Sequence, residues 1–351
     1  MTTLPTILRL ATCGALGLLA AFTGACEKKS EPAPASPTTP GASAAPAAKK
    51  TITIGVIAKS ESNPVFQAAR TGAQDAGREL SEALAAEGVE VKIVWRTPVA
   101  EDAAVQAQYV EQLISQGVDG IAISCTNADL LTPPIDQAVG KGVVVVTFDS
   151  DAPASKRLAY YGIDDVAAGK AVMAQLAKAV GDKGGPIAIL GGNQTAPNLQ
   201  ARIRGVRESL DTMKDKGFTL KNVYYHKETA VDGAATVQQA QTANPDIVGW
   251  AMVGGWPLFT QNALDGVADK AKVVSVDTLP EQLDYVRKGE VQALIGQDCY
   301  AWGHESVKIL VDKIHHKKDP AATVIHFDLA VVTKDNVEQY AGLWEKWLGR
   351  K

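Results

Sequence analysis

The sequence predicts an α/β protein made of two lobes, each built on a parallel sheet. Three observations carry this. Apolar runs of strand length alternate with amphipathic stretches of helix length from Thr51 onward, which is the pattern of repeated βαβ units. Some runs, such as "VVVV" in "GKGVVVVTFDSDAP", are uninterrupted, as expected for strands covered on both faces. The alternation continues over a 351-residue chain, enough for about two domains.

The first residues stand apart. Arg9 precedes an apolar stretch over residues 10–22 and then "TGAC", a charged start, a hydrophobic core and small residues before a cut site. This reads as a secretory signal and is short for a bilayer span. "FTGAC" resembles a bacterial lipobox, with Thr23 where leucine is more usual; residues 1–26 are then a signal peptide whose cut leaves Cys26 as a lipidated N-terminus. The alternative is an ordinary signal peptide cut near Ala25. Residues 27–50 are rich in Pro, Ala and Ser and poor in apolar bulk, so they cannot offset their ordering entropy and read as a disordered tether. A coil of that length spans roughly 25–30 Å.

From there each element has its own signal. "TITIGVIA" is a strand. A helix follows, with Asn63 as its N-cap and Pro64 at its first position. "VEVKIVW" is a strand, "EDAAVQAQYVEQLISQG" a helix closed by Gly117, "VDGIAIS" a strand, "PPIDQAVGKG" a short helix and "VVVVTFD" a strand. After "LAYYGID" a helix covers residues 165–180, and the plan repeats. "GPIAILGG", "LKNVYYH", "PDIVGWAMV", "AKVVSVD" and "VQALIGQD" are strands. "APNLQARIRGVRESLDTMKDKG", "VDGAATVQQAQTAN", "PLFTQNALDGV", "PEQLDYVRKG" and "ESVKILVDKIHHKK" are helices.

Composition narrows function. The net charge of −4 gives no nucleic-acid footprint. No GxSxG, Walker A, HExxH or CxxC is present, and the glycine pair in "ILGGNQT" reads as a tight turn rather than a dinucleotide site. Of the five histidines, His315 and His316 lie in a Lys-rich helix end, His226 and His326 at strand ends, and His304 at a helix start. None makes a metal-ligand spacing, so no metal and no cofactor are expected. Cys125 and Cys299 remain in the mature chain, either paired or as two buried thiols.

The binding chemistry gathers at strand ends, where open parallel sheets take their ligands. Asp149 and Asp277 end one strand in each half. Asn63, Asn193, Gln194, Asn198, Arg202 and Gln297 add hydrogen-bonding groups, and Phe66, Trp256, Tyr300 and Trp302 add rings. Carboxylates accept from hydroxyls, Arg donates in a fork and rings cover C–H faces, so the set suits a polyhydroxyl ligand. Simpler roles exist for each: Asn63, Asp149 and Asp277 as caps, Arg202 as a solvated charge, Trp256 as a loop plug, Tyr300 and Trp302 as packing.

"NPVF", "VVVVTFDSD", "YYGIDD", "ARIRGV", "VVSVD" and "ALIGQD" occur in the order found in type I periplasmic binding proteins, the ribose- and galactose-binding-like receptors of ABC importers. The resemblance covers about residues 51–333. It implies two Rossmann-like lobes joined by three hinge strands, with residues 51–163 plus 298–327 in the N-terminal lobe and 164–297 plus 328–351 in the C-terminal one. It implies a ligand held by Asn63, Phe66, Asp149, Arg202, Asp277 and Gln297. Cys125 stands where the third strand often ends in Asn. Val65 replaces one stacking ring, Ser150 replaces an Arg, and "VGGWPLF" replaces an Asn-Asp, making Trp256 a candidate wall for a sugar or polyol other than ribose. Asn193 and Asn198 complete the expected ligand set. A Cys125–Cys299 disulfide tying the hinge to the first lobe is the further expectation. The implied protein is a monomeric, non-enzymatic substrate-binding lipoprotein, anchored by lipid in the periplasm or at the cell surface and serving a membrane permease. A ligand sensor of the same fold, signalling to a kinase or chemoreceptor, is the alternative, and an α/β enzyme the remoter one.

Overall fold

The computed structural model describes residues 50–61 and 63–348. The signal peptide, Cys26 and all but the last residue of the tether lie outside the described residues; Lys50 already belongs to the first strand. Among the described residues are two six-stranded sheets.

The first sheet contains β1 (Lys50–Ile57), β2 (Val89–Arg96), β3 (Gly120–Ile123), β4 (Val144–Phe148) and β5 (Ala159–Gly162). The second contains β6 (Gly185–Gly191), β7 (Phe218–Tyr225), β8 (Gly249–Met252), β9 (Lys272–Val276) and β10 (Ala293–Gly296). The last two strands are shared out: β11 (Val324–His326) joins the first sheet and β12 (Ala330–Val332) the second. The orders are β11-β5-β4-β3-β1-β2 and β12-β10-β9-β8-β6-β7. Every pairing is parallel except β10 with β12.

Helices α1 (Val65–Ala83), α2 (Ala103–Ser115) and α3 (Ala128–Gly140) follow strands of the first sheet. Then α4 (Asp165–Val180), α5 (Pro197–Asp211), α6 (Ala230–Ala243) and α7 (Pro280–Lys288) follow in the second half. Next come α8 (Cys299–Ile314), which returns to the first sheet, and α9 (Val337–Trp347). The period-two alternation of each strand divides its side chains between two apolar layers. In the first sheet Ile121 and Ile123 pack on the α2 and α3 side, whereas Ile54, Val56 and Ala122 pack on the α1 and α8 side. In the second, Ile187 and Ile189 face α4 and α5, and Ala188 and Leu190 face the other layer.

Each lobe has a glycine-lined helix seam. A Cβ on Gly303 would strike the backbone oxygen of Ala69, and one on Gly72 that of Tyr300, so α1 and α8 touch along their backbones. Gly169 and Gly205 do the same for α4 and α5. The chain passes between sheets three times: from β5 into α4, from β10 into α8 and from β11 into β12. The first two passages end on capping carboxylates, Asp164 accepting from Ala167 N at 3.0 Å and Asp298 from Ala301 N at 2.9 Å.

Several sequence expectations are corrected. Pro64, not Asn63, is the cap of α1; Asn63 sits one residue earlier and its Oδ1 accepts from Val65 N at 3.3 Å. The helix containing "PPIDQAVGKG" begins earlier, at Ala128, capped by Asn127 and with Pro133 and Pro134 inside it. "PLFTQNALDGV" makes only a 3₁₀ turn over Trp256–Phe259 followed by turns, because Asn262 takes the left-handed conformation (φ 61°) and ends any right-handed helix. α8 starts at Cys299, so His304 lies within it, between Glu79 and Glu305. Cys125 and Cys299 are free thiols. They lie in different apolar layers: Cys125, just beyond β3, in the one with Val110 and Leu131, and Cys299, the first residue of α8, in the one with Phe66 and Trp302.

Candidate functional site

The strand ends of both sheets meet around a small buried cavity. Its first wall is Lys59, just beyond β1, with Asn63, Val65 and Phe66 at the start of α1, Asp149 beyond β4 and Trp302 of α8. Its second wall is Asn198, Leu199 and Arg202 of α5, with Glu228, Gly254, Trp256, Asp277 and Gln297 from the strand ends of the second sheet. The enclosed space is about 20 Å³, little more than one water needs.

Asp149 and Asp277 occupy equivalent places. Each follows the last residue of its strand, and each has a positive φ, 55° and 72°. The left-handed conformation turns the chain back at the strand end, and Asp is among the few non-glycine residues that tolerate it. The turn is held by backbone bonds, Asp149 N to Tyr161 O at 3.2 Å and Asp277 N to Ile295 O at 2.9 Å. The Tyr160 hydroxyl donates to the Asp149 carbonyl at 3.0 Å.

The side chains then form one network. Asp149 accepts from Ser124 Oγ at 2.7 Å and, from the opposite wall, Asn198 Nδ2 at 3.3 Å. Arg202 is 3% exposed. It donates to Asp165 Oδ1 at 2.8 Å, Val253 O at 3.1 Å and Gln297 Oε1 at 3.2 Å. Gln297 in turn donates to Asp277 Oδ1 at 2.7 Å, and Gly255 N to Asp277 Oδ2 at 3.3 Å. Burial raises the pKa of Asp277 against the pull of Arg202 and Gln297, and raises Asp165 to about 7 despite its pairing with Arg202. Burial alone would weaken the Arg202 cation; Asp165, Asp277 and Asp149 outweigh it and keep its pKa above the usual value.

Rings close the remaining sides. Phe66 and Trp302 lie 6.1 Å apart, tilted by 38°. Trp256 packs edge-on to His226 at 5.3 Å. It fits because Gly254 and Gly192 lack side chains where its ring lies. The indole nitrogens of Trp256 and Trp302 are buried without a hydrogen-bond partner. The cavity therefore offers acidic acceptors and a forked cation between aromatic faces.

Of the residues singled out in the sequence, Asn63, Phe66, Asp149, Asn198, Arg202, Trp256, Asp277 and Gln297 all line this cavity. Cys125 does not; the polar group from its strand end is Ser124, through Asp149. Asn193 and Gln194 line a larger adjoining pocket of about 610 Å³. Lys59, Glu101, Asp165 and Glu228 were missed. Lys59, Asp165 and Glu228 share a signal visible in sequence, a charge within three residues of a strand's carboxyl end. Among the described residues, no group of three or more His, Cys, Asp or Glu could hold a metal ion.

Comparison with known proteins places this geometry. Residues 54–318 match the family described as periplasmic binding protein domain. A D-allose-binding periplasmic protein of Escherichia coli is 27% identical over 73% of this chain and 83% of its own length. A xylitol-binding protein of Mycolicibacterium smegmatis is 29% identical over 71% of this chain and 70% of its own. Among solved structures, an ABC transporter solute-binding protein from Burkholderia graminis in complex with D-arabinose superposes with a TM-score of 0.73 at 28% identity. That match covers 83% of this chain and 98% of the other.

Proposed function

The chain belongs to the periplasmic binding protein family, and we propose that this member binds a sugar or polyol between its lobes and presents it to an ABC permease. The observation that carries the reading is the convergence of Asp149, Asp277, Arg202, Asn198 and Gln297 with three rings on one buried cavity. Acceptors in a dry site favour hydroxyl donors, and any hydroxyl left unpaired there is penalised, which yields selectivity. The relatives named for D-allose and xylitol, and the neighbour holding D-arabinose, support this ligand class.

The three sheet-to-sheet passages act as hinges on this reading, at residues 163–164, 297–298 and 327–329. The lobes part to admit a ligand larger than the 20 Å³ now enclosed, and the ligand favours closure by its contacts to both walls. The protein acts as a monomer, outside the cytoplasm, tethered by lipid on Cys26. Cys26→Ser is expected to release it from membranes, and membrane retention of that variant would argue against the anchor. The ligand reading is tested by a thermal-shift screen of D-ribose, D-allose, D-arabinose and xylitol. A ligand at about 100 times its Kd adds roughly 2.7 kcal/mol; no shift with any sugar or polyol would overturn it.

A further inference from the structure

The inner cavity shares Glu228 with the lining of a second space. This pocket of about 610 Å³ lies between Ala100 and Glu101, in the loop from β2 to α2, and Asn193 beyond β6 with Tyr225, the last residue of β7, and His226 and Glu228 after it. Its walls thus come from both sheets, and Glu228 lines it and the inner cavity alike.

Its polar groups are unbalanced. Both oxygens of Glu101, one oxygen of Glu228 and Nε2 of His226 are buried with no hydrogen-bond partner. The nearest cation, Lys59, is 3.6 Å from Glu101, and its side chain is only 4% exposed. It faces Glu101, Glu228 and Asp149 together, and those three outweigh burial and raise its pKa. His226 does not supply charge, because burial lowers its pKa, and Lys227 is exposed on the rim. Once both acids are ionised they only accept, and Lys59 is then the cation beside them, so the ionised pair lacks a second positively charged donor.

We propose that this pocket is a second subsite, in which Glu101 and Glu228 together bind a protonated amine carried by the sugar or polyol. The inference rests on the sugar-binding reading of the inner cavity. A hydroxyl brings one hydrogen to two carboxylates; an ammonium brings three and a charge. The two acids line the one pocket from opposite sheets, so a single ammonium between them would clasp the two walls. Burial, reinforced by Glu228 and Asp149 and opposed by Lys59, raises Glu101 to about 8. The pair therefore holds a proton near neutrality, and an arriving ammonium expels it. Gly192 makes room, since a Cβ there would come within 2.7 Å of the Glu228 carboxylate.

The test is calorimetric titration of the full chain at pH 7 with matched pairs: D-glucose and D-glucosamine, D-galactose and D-galactosamine, xylitol and 1-amino-1-deoxyxylitol. At least one amine is expected to bind about tenfold or more tightly than its neutral partner. Its binding should release up to about one proton, read from two buffers of different ionisation enthalpy. In Glu101→Gln the amine-to-neutral affinity ratio is expected to fall to within about threefold of unity. The unmutated protein alone decides the matter if that variant fails to fold. Neutral ligands binding as tightly as every amine, or amine binding without proton release, overturns the subsite and leaves the sugar reading standing. No binding by any member of the series overturns both.

Discussion

Replacing Asp149 probes the whole site, because one side chain there makes two kinds of contribution. Its carboxylate accepts from Ser124 at 2.7 Å and from Asn198 at 3.3 Å, and its backbone sits at φ 55°. Asp149→Ala leaves two buried donors unpaired and removes the acceptor for a ligand hydroxyl. Bonds to a charged acceptor contribute about 1.5–3 kcal/mol each, so ligand affinity should fall by about 2–5 kcal/mol, roughly 30- to 5,000-fold. The Ala variant also bears about 1–2 kcal/mol of left-handed backbone strain that Asp149→Gly does not. The two variants should therefore lose the same affinity but differ in unfolding free energy. The assay is titration calorimetry with whichever of D-ribose, D-allose, D-arabinose or xylitol raises the Tm, alongside urea unfolding without ligand. An affinity within about threefold of the wild type in both variants would refute the assignment of this carboxylate to the ligand.

Three further outcomes follow from the same geometry. Arg202→Met strands Asp165 and Gln297 in a buried site and should cost about 3–5 kcal/mol in urea unfolding; a loss below about 1 kcal/mol would mean the pairing does not matter to the fold. Asp165 and Glu101 have raised pKa values in the folded protein, about 7 and about 8. Both thus bind protons more readily folded than unfolded, so their contribution is complete below their unfolded values near 4 and is lost as pH rises toward 8. The urea midpoint should be lower at about pH 8.5 than at about pH 5, by less in Glu101→Gln, and a higher midpoint at pH 8.5 would contradict the burial argument. Gly303→Ala improves helix propensity by about 1 kcal/mol, yet its Cβ meets the backbone of α1. A net loss of about 1–3 kcal/mol is expected, and a gain in Tm would show that the α1–α8 seam can open.

The two aspartates were legible because an apolar run ending in a carboxylate marks the carboxyl end of a buried strand, the edge where such sheets take ligands. Their left-handed backbone was not legible, since the same letters would fit an ordinary extended or capping residue. Lys59, Asp165 and Glu228 were hidden for a related reason. In sequence they resemble solvated loop and helix charges, and only the approach of two sheets desolvates them. Glu101 is harder still: it lies in a loop beyond β2, at the edge of its sheet, and reaches the cleft through Lys59. The helix expected after β8 failed because a run of apolar and polar residues has the right period, while one left-handed Asn262 stops it. The cysteines show the same limit. Each follows a strand, but that they fall in different apolar layers becomes visible only once the strand bounds and the paths of α2, α3 and α8 are known.

If the lobes open and close about the proposed hinges, the acids on both walls govern closure. Apart, the lobes leave Asp149, Asp277, Glu101 and Glu228 in water at little cost. Together, they bury these four acids and Asp165, not all of them ionised near neutrality, against two cations, Arg202 and Lys59. Desolvating unpaired charge costs several kcal/mol per ion, and the protein's own donors meet only part of it. Asn198 reaches Asp149 across the gap at 3.3 Å, longer than a charge-assisted bond prefers, whereas Gln297 holds Asp277 at 2.7 Å within one wall. Closure without ligand would therefore be opposed by the same acids that make closure with ligand favourable. A donor-rich guest is the missing component that changes the sign, and an apolar molecule of equal size would fill the space without relieving the acids. On this account the selectivity of the cleft and its reluctance to shut while empty have one cause, the excess of acceptors over donors across the two strand edges.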